Sequence, residues 1–164
     1  YSQWGVPFSG IKYDSSNDDK NYVTIGAITF QKIGDKKLLL RAPLGSKMSW
    51  STAGTTAQSY ISNNLSGYTW LSGASSGLLD TASIGTLSQS DVLSLGTGNS
   101  WWSATQYYYV NGSGALKSDT TNTTRLCRPY VQISDITKLY GQCIWNQYNN
   151  PGAANNPYWL YYKQ

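Results

Sequence analysis

The side chains able to do chemistry are few and one-sided. The 164 residues contain no His and no Glu, so every carboxylate is one of eight Asp. Without imidazole the chain lacks the usual near-neutral proton carrier and the commonest metal ligand. Ser-His-Asp and Cys-His nucleophile systems and His-ligated zinc are thereby excluded. Two Cys are too few to close a thiolate zinc site. A glycoside-hydrolase acid pair would have to come from Asp80, Asp91, Asp119 and Asp135, yet no two of them fall in an acid/base motif. Asp14, Asp18 and Asp19 offer hard oxygen ligands of the kind calcium takes, at a spacing that reads as a solvated turn. The expectation is a binding protein, with no cofactor, no resident metal and no catalysis.

What the chain has in excess is aromatic and uncharged. It holds 14 Tyr and 7 Trp against 2 Phe, with only 12% charged residues. Tyr and Trp combine a large apolar face with a polar handle, which suits a surface both wet and adhesive. The net charge of +4 is scattered, with no dense basic stripe, so nucleic acid is not an expected partner. No apolar run approaches membrane-spanning length, so no membrane insertion is expected. The chain opens at Tyr1 without an initiator Met, as a processed chain or an excised fragment would. In so aromatic and charge-poor a chain, Cys127 and Cys143 read as a disulfide and an extracellular or cell-surface address, with two free thiols as the alternative.

These residues need elements to hold them. Nothing divides the sequence, so residues 1–164 read as one domain. Residues 22–31 are apolar and β-prone, with Gly26 as a bulge; residues 33–36 form a turn and 37–41 the returning strand. Ala57, Tyr60, Ile61 and Leu65 share one helical face, predicting a helix over 55–65. A second helix is predicted over 86–95, with Ser88 and Asp91 spaced as a capping box, Gly96 as its stop, and Leu87, Val92 and Leu95 inward. Residues 67–85 between them are rich in Gly and Ser. Residues 101–110 read as an aromatic strand, and 125–133 alternate as another, with Pro129 favouring an edge or bulge. The last segment predicts a hairpin with strands at 143–148 and 158–162 and a tip at 149–157. The fold class is α+β: two short helices, antiparallel β-hairpins and a C-terminal aromatic hairpin.

Met48-Ser49-Trp50 ahead of the helix with Tyr60, the segment Ser90-Asp91-Val92-Leu93, and Trp101-Trp102-Ser103-Ala104-Thr105-Gln106-Tyr107 followed by Leu126-Cys127-Arg128-Pro129 occur in that order. Together they resemble the C-type-lectin-like domains of bacterial or phage surface adhesins, including intimin- and invasin-type tips. The resemblance covers residues 22–133, leaving 139–164 as a C-terminal extension. It implies a C-type-lectin-like fold, a rigid scaffold for cell-surface glycans or proteins, and no catalysis. It also implies that Trp102 is the buried strand Trp, with Trp50 and Trp70 in the core and Trp101 on the opposite face. Calcium-dependent sugar binders of this fold carry a Trp-Asn-Asp strand. Here Trp145-Asn146-Gln147 lacks the Asp, so calcium ligation is not carried over.

The expected ligand-binding residues are Trp101, Tyr108 and Asn111, and in the tail Trp145, Asn146, Asn149, Asn150, Asn155, Tyr158 and Trp159. Aromatic planes stack on sugar C–H faces while carboxamides pair with hydroxyls, and the same composition builds antibody-like paratopes. The alternative for the tail is that its aromatics pack onto the domain. Asn64, Asn111 and Asn122 also match the N-glycosylation pattern. The function these features favour is an adhesin or receptor-binding domain for a cell-surface glycan or receptor protein. The alternative is a structural tip or assembly subunit of a pilus or fibre.

Overall fold

The computed structural model describes residues 6–7, 22–25, 28–34, 36–68, 71–87, 92–133, 139–143 and 158–162. They form a mixed α+β structure, mostly sheet, with two helices. In chain order these are β1 (Val6–Pro7), β2 (Tyr22–Ile25), β3 (Ile28–Gly34), β4 (Lys37–Leu40), β5 (Leu44–Met48), α1 (Trp50–Asn64), β6 (Leu71–Leu78) and α2 (Thr81–Gly85). Then follow β7 (Trp101–Trp102), β8 (Tyr108–Val110), β9 (Leu116–Ser118), β10 (Arg125–Cys127), β11 (Pro129–Ile133), β12 (Leu139–Cys143) and β13 (Tyr158–Tyr162). An eight-stranded sheet runs β1-β12-β13-β2-β3-β4-β11-β6, and a five-stranded sheet runs β5-β10-β7-β8-β9. None of the described helices is long and apolar enough to cross a membrane.

Non-local pairing redraws several of the sequence expectations. Residues 22–31 are not one strand: β2 and β3 pair antiparallel, Ile25 opposite Ile28, and Gly26, the expected bulge, lies outside the described residues. The aromatic run 101–110 likewise splits into the hairpin β7–β8, with Trp101 opposite Val110 and Trp102 opposite Tyr109. The Gly/Ser stretch contains β6, which pairs β11; the register jumps from Tyr130↔Gly77 to Gln132↔Ser72. Gly77 has φ +150 there, a conformation L side chains rarely adopt, which explains a glycine at that step. Pro129 is the first residue of β11, which is interior to its sheet rather than at an edge.

Helix α1 begins earlier than the apolar spacing alone suggests, because Ser49 supplies its cap. The Ser49 hydroxyl accepts the Thr52 N–H at 3.4 Å, and Asn122 Oδ1 accepts the Trp50 N–H at 2.7 Å. Ala53, Ala57 and Ile61 form its buried stripe, at four-residue steps. A helix forms at Thr81–Gly85, ahead of the predicted 86–95; within that predicted span residues 88–91 lie outside the described residues, and Val92 and Leu93 have π-helical backbone. Asp80 caps the Thr81–Gly85 helix by accepting the Ser83 N–H at 2.7 Å, and Thr86 is already its C-cap. The proposed cap at Ser88 and Asp91 lies outside the described residues. Val92 is nevertheless buried, and Leu87 and Leu95 pack against its cluster.

Among the described residues, two core clusters meet at β7. Trp102 packs with Ala53, Ala57, Leu78 and Cys127 beneath α1. Trp101, the next residue, points through the opposite face of the strand. There it meets Leu39, Leu79, Ile84, Leu93, Val110 and Leu126. Both indoles are fully buried. Trp101 thus lies on the face opposite Trp102, but the expected ligand-binding role of Trp101 is corrected, because the small sheet is covered on both faces. In β4 the run Leu38-Leu39-Leu40 is buried throughout, as for a strand covered on both sides.

Arg128 bridges the two sheets from inside. It is 1% exposed; its Nε donates to the Leu40 carbonyl at 2.7 Å, Nη1 to the Val92 carbonyl and Nη2 to Gln31 Oε1, both at 3.3 Å. Its guanidinium lies 5.0 Å from the centroid of Trp101. Carbonyl oxygens and an aromatic face thus compensate its desolvation.

The disulfide expectation is corrected too. Cys127 is a free, buried thiol whose Sγ donates to the Ala53 carbonyl at 3.4 Å. Cys143 ends β12, with four strands between it and β11, while Cys127 belongs to β10 in the other sheet. A disulfide needs Cα atoms within about 7 Å, which this placement denies. Burial pushes the Cys127 thiol up to about 12, so it is not a reactive thiolate at neutral pH. Cys127 is expected to resist alkylation in the native protein and to react once it is unfolded; mass spectrometry of iodoacetamide-treated samples with and without urea reads this out.

Candidate binding site

Two of the ten expected contact residues keep their place near the surface. Tyr108 is 39% exposed at the outer end of β8, opposite Ser118. Asn111 is half-buried, and its Oδ1 accepts from the Ser113 N–H and hydroxyl and the Ala115 N–H, at 2.8 to 3.1 Å. That carboxamide oxygen shapes the β8–β9 turn and is occupied by it. Trp101 is in the core. Tyr158 and Trp159 lie on β13, which β12 and β2 flank, opposite Cys143 and Gln142. Trp145, Asn146, Asn149, Asn150 and Asn155 lie outside the described residues, as do Trp70 and the cluster of Asp14, Asp18 and Asp19. The C-terminal hairpin itself forms, with a first strand at Leu139–Cys143; residues 144–148 of the predicted strand lie outside the described residues.

Behind Tyr108 stands a fixed aromatic wall. Trp50 meets Tyr107 edge-on with centroids 6.3 Å apart, Tyr107 tilts onto Trp102 at 6.3 Å, and Trp102 meets Tyr109 edge-on at 6.4 Å. Arg125 closes the row, its guanidinium carbon 3.4 Å from the Tyr109 centroid and 5.2 Å from that of Trp102. Each indole is pinned: Trp50 Nε1 donates to the Ser103 carbonyl at 3.0 Å and Trp102 Nε1 to that of Met48 at 2.8 Å. Asp119 holds Arg125 through an Nη2–Oδ2 contact of 2.8 Å. The Tyr109 and Trp102 rings are thus set by a guanidinium clamp on one side and α1 on the other.

The described acids are engaged in local structure. Asp80 lies below the ordinary carboxylate range, chiefly because it accepts the Ser83 N–H. Asp119 is likewise lowered, chiefly by the Thr121 N–H. A general acid for glycoside hydrolysis needs a raised value instead. Asp91 and Asp135 lie outside the described residues. Lys37 Nζ donates to Ser83 Oγ at 2.9 Å beside Asp80. Burial, and then the Asp80 charge, push the Tyr130 phenol up. Among the described residues no group of three or more Cys, Asp or similar ligands could hold a metal ion.

The Asp80 cap has a pH consequence. Because its folded-state value is lowered, its contribution to stability is complete above the unfolded value of 3.8 and is lost as pH falls through the folded value. Urea midpoints measured from pH 6 down to about pH 2 are expected to fall less steeply at the acid end in Asp80→Asn than in the parent.

A groove of about 340 Å³ opens between α1 and β5, lined by Leu44, Thr55, Thr56, Ser59, Tyr60, Asn63 and Asn64. The apolar spacing of this helix marks Tyr60 among these residues and none of its polar neighbours. The signal that marks the groove is charge: no Asp, Lys or Arg occurs between Lys47 and Asp80. No protein-family model matches the chain, and neither a curated protein nor a solved structure matches it.

Proposed function

We propose that the chain is an adhesin or receptor-binding domain with a C-type-lectin-like fold, acting outside the cell or at its surface. It holds a host or cell-surface glycan or protein non-covalently through a Tyr- and Asn-rich surface. The observation that carries this reading is Tyr108, an exposed aromatic side chain on a strand whose neighbours Tyr107 and Tyr109 belong to a pinned aromatic wall. A ring fixed by its scaffold loses little conformational entropy on contact, which is how Tyr-rich recognition surfaces gain affinity. The packing adds support: a capped helix lies over a Trp-Trp strand, and a Cys-bearing strand pairs beside it.

The test is binding of the purified chain to a glycan array and to intact cells, with Tyr108→Ala beside the parent. The parent is expected to bind at least one of the two, and Tyr108→Ala to bind at least fivefold more weakly while melting at the parent's temperature. A parent that binds neither glycans nor cells would overturn the reading.

A further inference from the structure

We propose that the groove between α1 and β5 is a subsite for a neutral glycan, an assignment that rests on the recognition function above and names a place and a ligand class for it. The groove's volume of about 340 Å³ falls at the lower end of small-ligand sites, which run from about 300 to 1,000 Å³. Thr56, Ser59, Tyr60 and Asn63 follow the i, i+3, i+4, i+7 spacing, so one helical stripe supplies them all. That stripe lies beside the buried one of Ala53, Ala57 and Ile61, whose packing under the sheet holds the helix, and so the stripe, in place.

The polar groups split into two kinds. Thr55 and Asn64 are spent on the helix itself: the Thr55 hydroxyl donates to the Thr52 carbonyl at 3.0 Å, and Asn64 Nδ2 to the Tyr60 carbonyl at 2.8 Å. The side chains of Thr56, Ser59 and Asn63 make no hydrogen bond to another described residue. They present two hydroxyls and a carboxamide, groups that both donate and accept. Sugar hydroxyls have the same dual character, so each bond to water has a direct replacement in the complex. Leu44 and the ring of Tyr60 give the groove an apolar wall for the C–H face of a pyranose.

Charge decides the class. The groove lining carries no charged side chain, and neither does any residue of α1. A sialylated, sulfated or phosphorylated ligand would bring an anion that this surface gives no partner. A neutral hexose or N-acetylhexosamine is matched group for group.

The test is titration calorimetry of the full chain with neutral and sialylated oligosaccharides, followed by Ser59→Trp, which fills the groove, and Asn63→Ala, which removes the carboxamide. Both positions are exposed, and thermal melts confirm that the variants fold. Neutral oligosaccharides are expected to bind, and both variants to weaken that binding at least fivefold. Neutral-glycan binding that either variant weakens less than fivefold, or a chain that binds only acidic glycans, would overturn the groove and leave the recognition function standing. A chain that binds neither glycans nor cells would overturn both.

Discussion

Arg128→Met is expected to cost about 3 kcal/mol or more of folding stability, read from urea unfolding curves followed by tryptophan emission. The substitution removes the donors that now face the Leu40 and Val92 carbonyls, and one hydrogen bond to Gln31 Oε1, in a site that is 1% exposed. Each buried acceptor deprived of its partner costs about 1–3 kcal/mol, partly offset because the buried charge disappears as well. Against a typical total of roughly 5–15 kcal/mol, the loss is a large fraction of what holds the fold. Arg128→Lys keeps the charge but not the planar fork, and a single ammonium cannot reach three divergent acceptors. It is therefore expected to fall between Met and the parent. A Met variant within about 1 kcal/mol of the parent would show that the bridge between the sheets is dispensable.

Trp101→Ala is expected to cost about 3–5 kcal/mol, the range for removing a large aromatic side chain from a closed core. The indole is fully buried, and its Nε1 donates to the Leu93 carbonyl at 3.3 Å. Trp101→Phe, which keeps a ring in the cavity, is expected to lose less. The distinction matters for any binding study. A weakened Trp101 variant is expected to recover full affinity per folded molecule, whereas a Tyr108 variant is not, so affinity and stability should be measured on the same samples. Undiminished stability in Trp101→Ala would contradict the burial of this residue.

Much of the frame was legible in the sequence because it depends on local periodicity. The helical spacing of α1, the turn between β3 and β4 and the C-terminal hairpin follow from spacing and turn chemistry, whereas the burial of Trp102 was implied by the resemblance. What was not legible depends on partners distant in sequence. β6 is hidden in a Gly/Ser stretch with almost no β-branched residues, and only its pairing with β11 makes it a strand. Trp101 was expected outside because strand alternation gives the face and not what covers it. The cap at Asp80 was missed because a helix of five residues leaves too short an apolar pattern to find. The Cys spacing suggested a bridge, but sequence distance says nothing of which sheet each cysteine joins.

For the candidate site, Tyr108 was legible: three consecutive tyrosines on a strand must place at least one outward. Asn111, expected to bind ligand, is half-buried, and its carboxamide oxygen is taken up by its own turn. The groove was the reverse case. Its residues were in view, yet a row of Ser, Thr and Asn carries no motif, and its meaning comes from the strand laid beside it.

The adjacency of Trp101 and Trp102 has a further consequence, for cooperativity. Two indoles separated by one peptide bond serve as the anchors of two apolar clusters, one on each side of β7. Neither cluster can loosen without shifting the backbone that fixes the other's largest side chain. Partial opening, which in many proteins lets one region fray while another persists, is therefore penalised at this strand. The two clusters are expected to unfold in one transition.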